Sequence, residues 1–147
     1  MMQTEAASGS VEGHVSATRI TAQQGIAERN GLTEGPENPA WIRVFDADVA
    51  GGKLSNGKVF ADNFKPGLTD GMRCDTDGNV WCSMGWADPK EDGVRCYAPN
   101  GDLIGKIHVP ETVANLTFGG IKRNRLYICG STSVYACYVN TQGAMKP

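Results

Sequence analysis

The chain has 147 residues, of which 40% are hydrophobic, 20% charged and 7% aromatic, with 19 glycines and a formal charge of −2, the profile of one globular domain and not of a collagenous or wholly disordered chain. The slightly acidic balance gives no electrostatic footprint for nucleic acid or an anionic membrane, and no run approaches the roughly 18 apolar residues of a bilayer-spanning helix. Frequent Gly, Asn, Asp and Thr, without leucine-rich helical patterning, exclude a helical bundle and point to a mainly β protein with many turns.

In chain order, residues 1–36 read as a flexible tail, too sparsely apolar to bury a core. Its start, Met1-Met2-Gln3-Thr4-Glu5, lacks the basic and apolar regions of a secretory signal, so the cytoplasm is the expected compartment. Within the tail a weak helix is expected over 20–29, where Ile20, Ala22, Ile26 and Ala27 form a thin apolar stripe interrupted by Gly25. From Trp41 onward, short runs of β-formers alternate with turn residues. They predict strands over 41–46, 58–62, 72–75, 80–83, 94–98, 103–109, 116–118, 125–129 and 134–139. Asp75-Thr76-Asp77-Gly78-Asn79 and Pro99-Asn100-Gly101-Asp102 offer residues that tolerate positive φ, so each should close an antiparallel hairpin. Cys74, Cys82, Cys96, Cys129 and Cys137 are odd in number and contain no C-x-x-C pair, which fits reduced thiols packed in strands and not a zinc knuckle or disulfide scaffold.

The strands also repeat. Asp70-Gly71-Met72-Arg73-Cys74, a turn, then Val80-Trp81-Cys82 can be laid on Asn115-Leu116-Thr117-Phe118-Gly119, a turn, then Leu126-Tyr127-Ile128-Cys129. Val94-Arg95-Cys96-Tyr97 likewise matches Val134-Tyr135-Ala136-Cys137, and Ile42-Arg43-Val44-Phe45 reads as an earlier copy. A period of about 45 residues with four short strands per unit is the size of a β-propeller blade. Small polar residues open units at Asn30, Asp70 and Asn115, where they could face the axis of a ring. Between Asn30 and Trp41 there is no room for two inner strands, so the expected fold is all-β, an incomplete β-propeller of about two and a half blades over residues 37–147.

The run Gly67-Leu68-Thr69-Asp70-Gly71-Met72-Arg73-Cys74-Asp75-Thr76-Asp77-Gly78-Asn79-Val80-Trp81 resembles the signature strand pair of the senescence marker protein and gluconolactonase family, which includes luciferin-regenerating members. Gly93 to Gly101, Ala114 to Gly120 and Asn124 to Cys129 resemble the last blades of its bacterial lactonase-like members. The resemblance implies a six-bladed propeller about twice this length, with one divalent cation on the axis, Ca²⁺ first and Zn²⁺, Mn²⁺ or Mg²⁺ as alternatives. It also implies hydrolysis of a sugar lactone. The cation is expected to be held by a first-blade Glu, a middle-blade Asn and the Asp of the D-G motif. Asp70 takes that last role, as metal ligand and acceptor of the attacking water's proton; Asn30 in Asn30-Gly31-Leu32 resembles the middle-blade Asn, and Glu34 in Glu34-Gly35-Pro36 the first-blade Glu. The match runs from about Glu37 to Gly143, as in a truncated or rearranged member.

Each of these residues also has a plain structural role open to it. Asp70 and Asn30 could be turn residues beside glycine, Asn115 a strand-start amide that satisfies backbone groups, and Glu34 an exposed carboxylate. The 75–79 loop lacks the length, terminal Glu and flanking helices of an EF-hand. His108 shares a strand face with Ile104 and Lys106 and should face solvent; with His14 in the tail, no Ser-His-Asp or Cys-His constellation is available, and Gly130-Ser131-Thr132-Ser133 is not a nucleophile elbow. Trp81 and Tyr127 occupy matching repeat positions expected in the core, whereas Trp86 lies in a loop where it could line a substrate mouth or pack at an edge. The competing reading is a non-enzymatic β-sheet module that self-associates through open strand edges.

Overall fold

The computed structural model describes residues 19–24, 41–48, 51–64, 67, 69–86 and 88–144. The chain divides into two compact units, Met1–Asn63 and Phe64–Pro147. All described elements are strands, and they form three antiparallel sheets.

The first unit contains one sheet in the order β1 (Arg19–Gln24), β2 (Trp41–Asp48), β3 (Lys53–Ala61). Where the sequence pointed to a weak helix over 20–29, Arg19–Gln24 instead pair with β2, from Arg19 opposite Asp46 to Gln24 opposite Trp41. Adjacent β-branched Ile20 and Thr21 favour the extended chain once a partner edge is available. Residues 25–29, like most of the predicted tail, lie outside the described residues. β3 begins five residues earlier than predicted: Lys53–Gly57 are exposed and, apart from Leu54, without apolar side chains, yet Asp46, Ala47 and Asp48 of β2 give their backbone a partner. Asn56, at a φ of 52°, marks the irregular register there and donates to Asp46 Oδ2 at 2.8 Å.

The second unit holds two sheets. One has the order β4 (Met72–Cys74), β5 (Val80–Met84), β6 (Gly93–Tyr97), β7 (Leu103–His108); the other joins β8 (Val113–Gly119), β9 (Arg125–Gly130) and β10 (Val134–Tyr138) in sequence order. The repeat predicted from sequence is thus structural, with β4, β5 and β6 corresponding to β8, β9 and β10. Both predicted hairpin turns form: Gly78 (φ 82°) donates to the Asp75 carbonyl at 3.1 Å, and Gly101 (φ 94°) to that of Ala98 at 2.9 Å. Positive φ at these positions costs glycine little.

Val94, Val109, Val113, Leu116, Leu126 and Ile128 form a buried cluster drawn from both sheets of this unit, with Trp81, Ile107 and Phe118 packed against it. Trp81 meets Phe118 edge to face, with ring centroids 5.8 Å apart. Its repeat mate Tyr127 departs from the core expectation. Leu126 and Ile128 take the buried face of β9, so Tyr127 lies on the opposite face, half-buried beneath the Arg125 guanidinium. The same alternation exposes Cys129, while Cys82 and Cys96 are buried as expected of packed thiols. Burial pushes both of those thiols up to about 12, so they stay protonated and inert near neutral pH.

Candidate functional site

Asp70 directly precedes the Gly71–Met72 step into β4, and its backbone is fixed from two sides. Ser83, buried near the end of β5, accepts the Asp70 N–H on its Oγ at 3.0 Å and donates its own hydroxyl to the Ala114 carbonyl at 3.2 Å. Gly71 donates to that same carbonyl at 2.9 Å, while its own carbonyl accepts the Ser83 N–H at 2.9 Å. One carbonyl of β8 and one serine of β5 therefore lock the start of β4 to both neighbouring strands.

Gly71 is required for this closeness. A Cβ there would lie 2.1 Å from Asn115 Oδ1 and 2.8 Å from Asn115 Cα, distances no side chain tolerates. Its absence lets the Asn115 carboxamide lie against the chain one residue from Asp70. The structure thus brings together the two polar residues that open successive repeats. Asn115 is half-buried and its Oδ1 accepts the Leu116 N–H at 2.8 Å, the backbone-satisfying role open to it from sequence. Asp70 is also half-buried, but among the described residues no hydrogen bond or ion pair engages its carboxylate. Asn30 and Glu34 lie outside the described residues.

Asp75, five positions on, shows what a structural carboxylate looks like here. It is buried and its two oxygens accept four donors: the Asp77 and Asn79 N–H groups, the Asn79 amide and Trp81 Nε1–H, at 2.8–3.0 Å. Every lone pair has a use within the fold, which leaves none for a ligand. The 75–79 segment is a hairpin turn, as its sequence indicated.

The remaining candidates resolve plainly. His108 is exposed, with Nε2 2.8 Å from the Pro89 carbonyl, consistent with an Nε2–H donor. Gly130–Ser133 is the β9–β10 turn, closed by Gly130 N–H to the Ser133 carbonyl at 2.9 Å. Arg123, from the basic run 122–125, donates to the Gly143 carbonyl at 2.7 Å. Ser83 and Thr112 were missed by sequence reasoning; the signal for Ser83 was a hydroxyl between Cys82 and Met84 in an apolar strand, a position that demands a partner.

Hard oxygen donors such as the Asp70 carboxylate and the Asn115 amide oxygen suit a divalent cation such as Ca²⁺ in type. In number they fall short of the roughly six to eight oxygens such an ion takes. No group of three or more His, Cys, Asp or Glu side chains among the described residues is placed to hold a metal.

Successive antiparallel sheets of repeated sequence, with inner strands joined side by side at their starts, are the blades of a β-propeller, and this chain carries part of such a ring. Residues 33–132 match the SMP-30/gluconolactonase/LRE-like region, and the chain belongs to that family. Among solved structures it is similar to a structural-genomics target described as a candidate gluconolactonase, with 26% identity and a TM-score of 0.67, the match covering 86% of this chain and 37% of that one. It is also similar to a gluconolactonase from Xanthomonas campestris (25% identity, TM-score 0.59, 80% of this chain and 33% of that one). At the level of fold it matches a calcium-binding regucalcin from Agrobacterium tumefaciens (18% identity, TM-score 0.65, 88% and 45%). The chain thus spans between a third and a half of the length of these structures. A comparison with curated proteins finds no match.

Proposed function

We propose that this chain is part of a lactone-hydrolysing propeller in which Asp70 is the catalytic carboxylate. The observation that carries the reading is the contrast between two neighbouring aspartates: Asp75 is fully engaged by the fold, whereas Asp70 sits on a backbone clamped by Ser83 and Ala114 with its carboxylate unengaged among the described residues. Such a carboxylate is positioned at the cost of the backbone alone and stays available for chemistry. Family membership and the gluconolactonase likenesses support a sugar lactone as substrate.

In this reading Asp70 would contribute to holding a divalent cation, Ca²⁺ first, which when bound would supply Lewis acidity toward the lactone carbonyl. Asp70 takes the proton of the attacking water as the new C–O bond forms and returns it to the ring oxygen as the ring C–O bond breaks, giving the open hydroxy acid. Ser83 keeps the Asp70 backbone from shifting as the carboxylate changes charge. Opening of glucono-1,5-lactone, followed by proton release with Ca²⁺, Mn²⁺ or Zn²⁺ added, tests this directly. Asp70→Asn should lower turnover by about 100-fold or more while leaving the circular dichroism spectrum intact. Turnover that survives this substitution, or that a chelator does not affect, removes the proposal.

A second reading, self-association through an open edge, is favoured by β10. The Gly130–Ser133 and Asn124–Val139 hydrogen bonds fix the ladder so that Val134, Ala136 and Tyr138 turn their backbone groups away from β9. Val134 and Tyr138 are 72% and 74% exposed, and the strand carries neither charge nor proline to deter pairing. Ala136→Pro deletes one outward N–H without removing a bond to β9. It should abolish any dimer seen by sedimentation; a dimer that persists excludes this edge.

A further inference from the structure

Trp86 stands out from the rest of the second unit. It adopts a φ of 53°, a left-handed conformation rarely taken by a bulky side chain, and its residue surface is 49% exposed. A surface tryptophan in an unfavourable backbone conformation persists only when its surroundings impose it. They do so here. Its N–H donates to Thr112 Oγ1 at 3.3 Å, and that hydroxyl donates to Asp92 Oδ2 at 3.1 Å. Asp92 is buried, and its carbonyl accepts the Val109 N–H at 3.2 Å. Gly85 lets Thr112 approach, since a Cβ there would lie 2.4 Å from Thr112 Cγ2.

The clamp sets Trp86 at the Asp70 end of the sheets. β4 and β5 are antiparallel neighbours, so Asp70, two residues before β4, and Trp86, two residues after β5, leave the sheet at the same end. Thr112 sits two residues before Ala114, whose carbonyl anchors Gly71 and Ser83. A second hydroxyl lies close by: Ser131 Oγ donates to the Thr112 carbonyl at 3.2 Å. An exposed tryptophan fixed through its backbone beside hydroxyl-bearing residues can offer its indole to a polyhydroxylated ring, whose C–H face packs on an indole while its hydroxyls reach polar neighbours.

We propose that Trp86 is the platform on which the sugar ring of a lactone stacks, held in place by Thr112 and Asp92. This rests on the lactone-hydrolase reading and names the residue that would distinguish a sugar lactone from a plain cyclic ester. Thr112 and Asp92 are positioning residues.

The test uses the full chain and two readouts: calorimetric binding of glucono-1,5-lactam, a ring analogue that is not hydrolysed, and turnover of gluconolactone against δ-valerolactone, which lacks hydroxyls. Trp86→Ala should weaken lactam binding and raise the gluconolactone KM by about tenfold, with kcat and the valerolactone KM within about twofold of the parent. Trp86→Gly, which accepts the positive φ, should lose binding equally while keeping or raising the thermal midpoint, a result that a packing role would reverse. Thr112→Val should raise the gluconolactone KM and Thr112→Ser restore it. Lactam affinity unchanged in a folded Trp86→Ala chain, or absent from the parent, overturns the stacking role. If Asp70→Asn leaves turnover intact while Trp86→Ala abolishes lactam binding, the catalytic reading falls and the platform stands; Asp70-dependent turnover with an unchanged Trp86→Ala KM keeps the catalytic carboxylate and removes the platform.

Discussion

The sheet β4–β7 and the sheet β8–β10 are built from repeated sequence, yet their third strands differ in burial. All five residues of β6 are buried between β5 and β7. In β10, which has no outer neighbour among the described residues, exposed positions alternate with half-buried ones. The two strands are similarly apolar, so the outer strand and not the intrinsic propensity sets the burial. β7 can serve as an outer strand because Lys106 and His108 occupy its exposed face, and Lys106 shares Glu91 with buried Arg95, at 2.9 and 3.2 Å. The hairpins at the far end also differ. The β4–β5 turn is organised by one buried carboxylate, Asp75. The β8–β9 turn, with Arg123 at a φ of 52°, is fastened by the 142–144 segment, where Arg123 and Gly143 exchange backbone and side-chain hydrogen bonds. The same segment reaches the β4–β5 hairpin, where the Gln142 carbonyl accepts the Thr76 N–H and Ala144 donates to the Cys74 carbonyl, so distant chain ties both hairpins and the first has the buried Asp75 carboxylate in addition.

The most disruptive way to break this pairing of sheets is Gly71→Val. Its side chain would collide with the Asn115 backbone, and the second unit should lose about 3 kcal/mol, read from the urea midpoint. Asp75→Ala attacks the carboxylate anchor of the first hairpin. It leaves the Trp81 Nε1–H and the Asn79 N–H without their acceptor, for an expected loss of about 2 kcal/mol and a red-shifted tryptophan emission.

The sheets should also differ toward a thiol reagent. Cys129, exposed on β9, should react in the native state, whereas Cys82 and Cys96 should react only on unfolding, as mass spectrometry of labelled peptides would show. The smallest effect concerns Glu111, which ties the segment before β8 to the β9–β10 turn by accepting from the Tyr135 hydroxyl and from the Thr132 N–H and hydroxyl. The Tyr135 hydrogen bond, followed by those from Thr132, outweighs desolvation and holds its carboxyl below the usual Glu range. Because the folded value lies below the unfolded one, the stabilisation is present above the ordinary Glu pKa and is lost as the pH falls through the depressed value. Glu111→Gln should therefore flatten the acid limb of the thermal midpoint against pH; an unchanged limb would show that this contact does not report on folding.

Most of the architecture was legible in the chain. Period-two runs, D-G and N-G turns and the internal repeat located nine of the ten strands, because each depends on neighbours within a few residues. β1 and the exposed start of β3 were not legible: both take their extended form from the edge of β2, which a window of local sequence does not contain. The candidate site divides in the same way. The D-G motif marked Asp70, but neither its clamp by Ser83 and Ala114 nor the Thr112 support beneath Trp86 has a local signature, since the partners lie 13, 31 and 26 residues apart.

By itself the sequence determined the strand type, the turns, the repeat and the family, all properties carried by adjacent residues or by an order of motifs. Tertiary structure alone decided which of two nearby aspartates is consumed by the fold, which aromatic of a repeated pair reaches the core, and where the backbone of an exposed tryptophan is held. The reason is physical: propensity and alternation act along the chain, whereas hydrogen-bond saturation and burial depend on strands brought side by side from distant positions.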